Sequence, residues 1–404
     1  MSKLRIGMSA CVVALVVMAG LPANSFAQRI KMSVKVPELE TRVKQDSNDA
    51  AAHYNLALGY WSEKRYDEAE KQLRAAIQVE PRFAVAHLGL AFLPYARRSK
   101  LFVEAYEDDV PAEWKPKLEE ADREFRHAFM IDPLVDLRII GAVTPSSPDF
   151  VGISKAWGED WALYLQGYED CQEGKYEDCN GRFAAFIKSI DGDRFGDRIP
   201  DIVLWYKGLA AAHIGKFDDA VAHFQTLMDR DSTRMRVRQE KGYDPHLSLR
   251  TNEYRYTLAT IKQAAGKTVE ARALYQEALA NDIGLYMAHV QLAGLAEMER
   301  DFATAIAERR RAVDANPDDP SLLTDLGVTL GKSGQMQEAV EMLERAADAN
   351  PRDSRPLYWL GIGYTQLNRI PDARKSFTQF IEMAPSRYDK QIAAAKDRLA
   401  KLPQ

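Results

Sequence analysis

The chain has 404 residues, of which 28% are charged, and its formal net charge at pH 7 is −5. This acidic balance argues against nonspecific nucleic-acid binding, which depends on a basic surface. Beyond the N-terminal leader, no segment is apolar enough to form a membrane span of about 20 residues.

The first 27 residues read as a secretory signal peptide. Lys3 and Arg5 precede an apolar run, and Ser25, Phe26 and Ala27 supply the small residues that a signal peptidase recognises. Removing this leader takes away two basic side chains, so the mature chain becomes more acidic. The leader predicts an exported protein, periplasmic or secreted, with a retained amphiphilic anchor as the alternative.

A repeated pattern starts after an N-terminal extension, residues 28–49, in which a short capping helix is predicted from Pro37 to Lys44. The first copy carries small residues where two helices approach closely and larger ones in the groove between them. Its proline ends the second helix. These positions are Leu56, Ala57, Tyr60, Ala69, Leu73, Ala76 and Pro81.

The same cassette recurs along the chain at a regular spacing. Pro317, Pro351 and Pro385 stand 34 residues apart. A glycine or asparagine precedes the small residue of the second helix by five positions, which predicts a left-handed residue at a helix C-terminus. These turn residues are Gly174, Gly215, Gly266, Gly334 and Asn368.

A fixed period of this length with this pattern resembles the tetratricopeptide repeat, a helix-turn-helix unit. The resemblance covers nearly all of Ala50 to Pro385 and implies an all-α fold, a right-handed superhelical solenoid of stacked hairpins. We predict eight units. They occupy residues 50–133 (units 1–2, with an insertion near 97–111), 160–234 (units 3–4) and 252–385 (units 5–8). An irregular linker (134–159), a basic insertion (235–251) and a C-terminal capping helix (386–404) complete the chain.

The family resemblance also implies a binding groove. In such proteins the first helices line the concave face, and residues just outside the packing positions contact the ligand. Carried onto this chain, these positions are aromatic in the N-terminal two thirds: Tyr54, Trp61, Phe92, Tyr95, Trp161, Tyr164, Tyr168, Trp205 and Tyr256. In the C-terminal copies they are Val290, Glu297, Thr324, Lys332, Tyr358 and Gln366. Aromatic side chains suit binding surfaces, but the alternative is that they are ordinary core.

The basic insertion offers a second candidate site. Arg234, Arg236, Arg238 and Lys241 stand out against the acidic background. Arginine pairs with carboxylates and phosphates in a bidentate manner, so this stretch predicts a site for an acidic partner. The alternative is a solvated loop.

Two cysteines remain after the leader is removed, Cys171 and Cys179. An even number in an exported chain permits one disulfide, provided that the Cα atoms lie within about 7 Å. Cys179 replaces a small core residue of the repeat, whereas the alignment places Cys171 on the exposed concave side. The pairing therefore stays open at the level of sequence.

No enzyme motif is present in the sequence, neither a glycine-rich phosphate loop nor a metal-binding cysteine cluster nor H-E-x-x-H. His53, His87 and His289 recur at one repeat position, which predicts a packing role. His213 and His223 share a hairpin but lack a third ligand, so they make a weak metal site.

We therefore predict a non-enzymatic exported scaffold without cofactor or metal. It binds a protein or peptide segment in its concave groove, in cell-envelope assembly or secretion. The alternative is a carrier for a small ligand such as a glycan or lipid.

Overall fold

The computed structural model describes residues 35–98, 101, 110–135, 159–172, 174–189, 199, 201–239 and 251–403. These residues form helices, turns and connections and contain no strand. The predicted all-α fold is therefore confirmed. The leader 1–27, most of the insertion near 97–111, most of the linker 134–159 and residues 240–250 lie outside the described part.

Eighteen α-helices run through the described residues. They are α1 Val36–Gln45, α2 Ala50–Ser62, α3 Tyr66–Val79, α4 Ala84–Arg97, α5 Lys115–Ile131, α6 Glu159–Gln172, α7 Tyr176–Ser189, α8 Asp201–His213, α9 Phe217–Gln239, α10 Thr251–Ala264, α11 Thr268–Asn281, α12 Tyr286–Met298, α13 Phe302–Ala315, α14 Pro320–Lys332, α15 Met336–Ala349, α16 Arg355–Gln366, α17 Ile370–Met383 and α18 Asp389–Lys401.

Both terminal helices lie where the sequence predicts them. The helix expected from Pro37 to Lys44 is α1, which has its proline in the first turn and buries Leu39. The capping helix of the C-terminal segment is α18. Most of α18 is exposed and Ala395 is its buried residue, as expected for a repeat that closes an array with a polar outer face.

Consecutive helices pack as hairpins, and the second helix of one hairpin packs on the first helix of the next. In the C-terminal repeats the hairpins are α12–α13, α14–α15 and α16–α17, and α13–α14 and α15–α16 are the packed junctions between them. A single hairpin cannot bury its own apolar face, so this stacking buries the apolar faces of neighbouring hairpins against one another. The small residues of the repeat lie at these contacts, and Ala57, Ala69 and Ala76 are at most 1% exposed.

The turns inside the hairpins share one backbone conformation. The non-helical residue after the first helix has a φ between 57° and 88° in seven copies, Lys64, Gly174, Gly215, Gly266, Arg300, Gly334 and Asn368. The five predicted left-handed positions are therefore confirmed. Lys64 and Arg300 occupy the same place without the residue type that signals it, so the sequence did not reveal them.

The chain divides into two compact units. The first contains Tyr60–Glu70 and the described residues of His87–Leu274, and the second contains the described residues of Val34–Gly59, Lys71–Ala86 and Tyr275–Gln404. Each unit therefore draws on segments that are distant in sequence. This division does not follow the order of the repeats.

Within the second unit, residues 78–82, at the end of α3 and in the turn that follows it, contact the C-terminal repeats directly. The guanidinium of Arg82 lies 2.5 Å from an Asp325 carboxylate oxygen and 3.3 Å from one of Asp319. The Asn350 amide donates a 2.6 Å hydrogen bond to the carbonyl of Gln78. These bonds join positions more than 230 residues apart in sequence, and no local pattern predicts them.

Candidate functional site

Five of the nine predicted groove aromatics are buried in the core. Trp61, Phe92, Tyr95, Trp205 and Tyr256 are each at most 4% exposed. The expectation of an exposed aromatic groove is therefore wrong for these five side chains. They lie outside the packing positions of the family pattern, but neighbouring helices cover them.

Ring contacts and hydrogen bonds explain this burial. Trp205 packs against Phe129, with ring centroids 6.1 Å apart, and Phe92 packs against Phe125 at 6.3 Å. The hydroxyl of Tyr256 donates a 2.8 Å hydrogen bond to the carbonyl of Met130. Helix α5, which follows the first insertion, supplies the covering residues in all three cases.

Three of the other four aromatic candidates keep part of their surface exposed. Tyr54, Tyr164 and Tyr168 are half-buried, and each makes an edge contact with a neighbouring ring. The side chain of Trp161 lies outside the described part of the structure. Contact between any of these four residues and a partner stays a prediction.

The basic insertion is helical where the structure describes it. Helix α9 continues to Gln239, so a loop is not the conformation of residues 234–239. The side chains of Arg234, Arg236 and Arg238, and the whole of Lys241, lie outside the described part. The acidic-partner site therefore stays a prediction.

The structure joins Cys171 and Cys179 by a disulfide, with the Cα atoms 5.1 Å apart. Both side chains are buried, at 4% and 0% exposure. The expected exposed position of Cys171 is therefore wrong. The bond links the end of α6 to the start of α7, across the turn at Gly174.

The recurring histidines are buried, as a packing role predicts. His53, His87 and His289 are 5%, 4% and 7% exposed. Each Nδ1 lies within hydrogen-bonding distance of a side-chain oxygen on the second helix of its own hairpin. His213 behaves differently, since its ring stacks on Tyr176 at 4.0 Å and its Nε2 lies 3.2 Å from the Leu134 carbonyl.

The C-terminal groove positions converge on a pocket of about 300 Å³ in the second unit. Four of the six positions implied by the family resemblance line it, namely Glu297, Thr324, Lys332 and Tyr358. They lie on α12, α14 and α16, which are the first helices of successive hairpins. The remaining lining residues are Arg309, Asp325, Val328, Thr329, Arg355, Trp359, Phe380, Tyr388 and Gln391.

Glu297 is held as a carboxylate on one side of the pocket. It accepts hydrogen bonds from Lys332 Nζ at 2.7 Å and Thr329 Oγ1 at 2.6 Å, and Arg309 lies 3.2 Å away. Burial by itself would raise the pKa of Glu297, but these donors and the positive charges outweigh burial, and its pKa is lowered.

Asp325 lies between two guanidinium groups. Arg82 is 2.5 Å away and Arg309 is 3.2 Å away. Burial would raise the pKa of Asp325, but the two cations shift it below its ordinary value. Arg355 is paired in turn with Asp353 at 2.6 Å. The pocket wall is thus a network of alternating charges that stays ionised at neutral pH.

Two polar atoms of the wall have no hydrogen-bond partner among the described residues. They are Nε of Arg309 and Oγ1 of Thr324, and both atoms are buried. An unsatisfied buried donor costs about 1–3 kcal/mol, so an acceptor that reaches either atom, a water or a ligand group, would stabilise the site. Both atoms can donate, which favours an acceptor such as a carbonyl or carboxylate oxygen. The repeat alignment pointed to Thr324 but not to Arg309, which lies on a second helix.

Comparison with known proteins supports the fold. Family models described as tetratricopeptide repeat match residues 50–83, 256–320 and 296–355. A comparison with curated protein sequences returned no match.

Among solved structures, one described as the crystal structure of MamA is 18% identical. The match covers 45% of this chain and 96% of that one, with a TM-score of 0.37. MamA from Desulfovibrio magneticus RS-1 is 17% identical, with coverage of 47% and 97% and a TM-score of 0.36. With its repeated hairpins and the three family matches, the chain is a tetratricopeptide repeat protein.

Proposed function

We propose that this protein is a non-enzymatic scaffold that binds a protein or peptide segment in the pocket of its C-terminal repeats. The repeat fold supports a role in protein interaction. The observation that carries the proposal is the convergence in one cavity of four groove positions and two unsatisfied buried donors.

The pocket offers a peptide both polar and apolar contacts. Nε of Arg309 and the hydroxyl of Thr324 would donate to a backbone carbonyl or carboxylate of the peptide. Tyr358 and Trp359, whose rings lie 5.4 Å apart, would cover an adjacent apolar side chain. Because the wall carries both charge signs, it suits a segment with donors as well as acceptors.

Two substitutions test this assignment. Thr324→Val removes the hydroxyl at nearly constant volume, and Arg309→Lys keeps the charge but removes Nε and the forked pairing with Glu297 and Asp325. Each should weaken binding of the partner, or of a peptide derived from it, by roughly tenfold, since one buried hydrogen bond is worth about 1–1.5 kcal/mol. Isothermal titration calorimetry measures the affinity.

Arg310 provides the matched control. It follows Arg309 in the chain but is exposed, and it pairs with Glu338 at 2.6 Å outside the pocket lining. Arg310→Lys should leave affinity unchanged. A photo-crosslinking residue at position 332 should capture the partner, whereas one at position 310 should not. Wild-type affinity in both pocket variants, or equal capture from both positions, would contradict the assignment.

We also propose that the protein acts outside the cytoplasm, in cell-envelope assembly or secretion. Two independent features support this location, the leader pattern of residues 1–27 and the disulfide between Cys171 and Cys179, a bond typical of oxidising compartments. N-terminal sequencing of the protein from its native cells should find Gln28 first. A protein that keeps Met1 and fractionates with the cytosol would refute the location while leaving the binding proposal intact.

The alternative of a glycan or lipid carrier depended on exposed aromatic faces. Trp61 and Trp205 are each 4% exposed, so neither ring provides a platform for a sugar. A polypeptide partner therefore accounts better for the pocket.

A further inference from the structure

Three repeats contain the same polar link between their paired helices. A histidine on the first helix faces a side-chain oxygen on the second helix. The distance from the histidine Nδ1 to that oxygen is 2.7 Å for His53 and Gln72, 2.5 Å for His87 and Glu124, and 2.6 Å for His289 and Glu308. This link is therefore a structural feature of the repeat.

The second repeat departs from the other two at one position. The residue three positions after the glutamine or glutamate differs among the copies. It is Ala75 after Gln72, His127 after Glu124 and Arg311 after Glu308. Residues three apart lie on the same helix face, so His127 is placed beside Glu124. Its ring lies 4.4 Å from the ring of His87, centroid to centroid.

The result is a cluster of three metal-ligating side chains on two helices, α4 and α5. One ligand atom from each of His87, Glu124 and His127 lies within 4.8 Å of the other two. We propose that these three residues bind a divalent transition-metal ion of the zinc class. None of them lines the C-terminal pocket, and the site is independent of the proposed peptide binding.

The donor set selects the class of ion. Two imidazoles and one carboxylate suit zinc and neighbouring transition metals, whereas magnesium and calcium prefer oxygen ligands alone. The ion would take the place of the hydrogen bond between His87 and Glu124. Three protein ligands leave a fourth tetrahedral position for water or for a group from a partner.

Access to the cluster is one-sided. His87 is buried at 4% exposure, while the side chain of Glu124 is 21% exposed and His127 is half-buried. An ion can therefore enter from the side of Glu124 and His127, while burial holds the His87 ring in place. Because α4 and α5 flank the first insertion, a bound ion would join the two helices across it.

Zinc retention by the untagged chain tests the site. After dialysis against zinc chloride, the wild type should retain one equivalent, and cobalt chloride should give the visible absorption bands of a tetrahedral cobalt centre. Glu124→Gln copies the arrangement of Gln72 in the first repeat, so it should keep the hydrogen bond and the fold. Glu124→Gln and His127→Gln should each lower zinc affinity by at least about tenfold.

The matched control is His289→Gln. It alters the equivalent link in a repeat that has no third ligand, so zinc affinity should equal that of the wild type. Circular dichroism confirms that each variant is folded. No stoichiometric zinc retention by the wild type, or unchanged retention in both Glu124→Gln and His127→Gln, would overturn the proposal.

Discussion

At the scale of single residues, the close approach of paired helices depends on positions where only hydrogen fits. A Cβ atom added at Gly361 would lie 2.5 Å from a ring carbon of Phe377, and one at Gly327 would lie 2.7 Å from Leu343. Phe377 is fully buried, so its ring has no room to move aside. These two glycines are required by packing rather than by backbone conformation.

Substitution of two helical glycines should have opposite effects. Gly361→Ala should lower the free energy of unfolding by about 1–3 kcal/mol, because the added methyl group overpacks the core. Gly294→Ala should raise it by roughly 0.5–1 kcal/mol, because nothing lies within 4 Å of its Cβ position and alanine favours a helix. Urea denaturation measures both values. A stabilising Gly361→Ala would show that the helices can separate at no cost.

His223 makes the stability of the first unit depend on pH. Burial lowers its pKa to about 4, and the nearby charge of Lys207 adds to this effect, while Asp219 opposes it. A histidine whose folded pKa lies below its ordinary 6.5 stabilises the fold in its neutral form.

The free energy of unfolding should therefore fall as pH drops from 6.5 towards 4. His223→Gln should flatten this slope, which thermal unfolding at several pH values would measure. An unchanged slope in the variant would mean that other groups cause the dependence.

At the scale of elements, the seven turns that contain a left-handed residue are each closed by the same pair of backbone hydrogen bonds. In α12–α13, the amide of Arg300 bonds to the carbonyl of Glu297 and that of Asp301 bonds to Ala296. Arg300 adopts a φ of 61° there, a region that costs a non-glycine residue about 1–2 kcal/mol. The same bonds close the turn at Gly334, where no side chain is strained.

Exchange of residue type between these turns should shift stability in both directions. Arg300→Gly should stabilise the protein by about 1 kcal/mol, and Gly334→Arg should destabilise it by a similar amount. Chemical denaturation provides the measurement. Equal and small effects of both changes would indicate that the turns relax into another conformation.

The disulfide between Cys171 and Cys179 ties one hairpin covalently. It encloses a short loop across the turn, and in the chain-entropy account such a bond stabilises a fold by roughly 2–4 kcal/mol. Dithiothreitol should therefore lower the melting temperature of the wild type. It should not affect the double variant Cys171→Ala/Cys179→Ala. Thiol titration should find no free thiol in the oxidised mature protein, and two reactive thiols there would contradict the pairing.

At the scale of the whole molecule, the second unit is built from both ends of the chain. Arg82, in the turn between α3 and α4, forms ion pairs with Asp319 and Asp325 of the C-terminal repeats. All three side chains are largely buried, with 14%, 5% and 26% of their surfaces exposed. The stability of the C-terminal repeats therefore depends on residues 71–86.

Loss of Arg82 should destabilise segments at both ends together. Arg82→Gln leaves the buried Asp319 without its cation and leaves Asp325 paired with Arg309 alone, which costs up to about 3–5 kcal/mol. Hydrogen exchange should speed up in α2 and in α14 by comparable factors. Arg65→Gln is the control, because that residue pairs with exposed Glu63 and Glu68 and lies over the Tyr60 ring, all near it in the sequence. Faster exchange confined to α2 would show that the two ends are not coupled.

The local structure of this protein could be predicted from its sequence because the same residue types recur at the same positions of each repeat. The hairpins, the small residues at their contacts and five of the left-handed turns each follow from a residue type at a fixed offset. The left-handed conformation of Lys64 and Arg300 was not predicted, because the turn imposes it and neither side chain signals it. Alignment of the repeats marked six C-terminal groove positions, and four of them line one cavity, namely Glu297, Thr324, Lys332 and Tyr358.

Tertiary packing decided what the repeat does not encode. Whether an aromatic side chain such as Trp205 faces solvent depends on which helix covers it, and α5 follows an insertion whose path the pattern leaves open. The approach of His87, Glu124 and His127 arises from a hairpin interrupted by that insertion. The ion pairs of Arg82 with Asp319 and Asp325 join residues more than 230 positions apart, and the repeat pattern does not relate such distant positions. Periodic sequence therefore determines the hairpin and its nearest neighbour, while contacts between distant repeats arise only when the chain is folded.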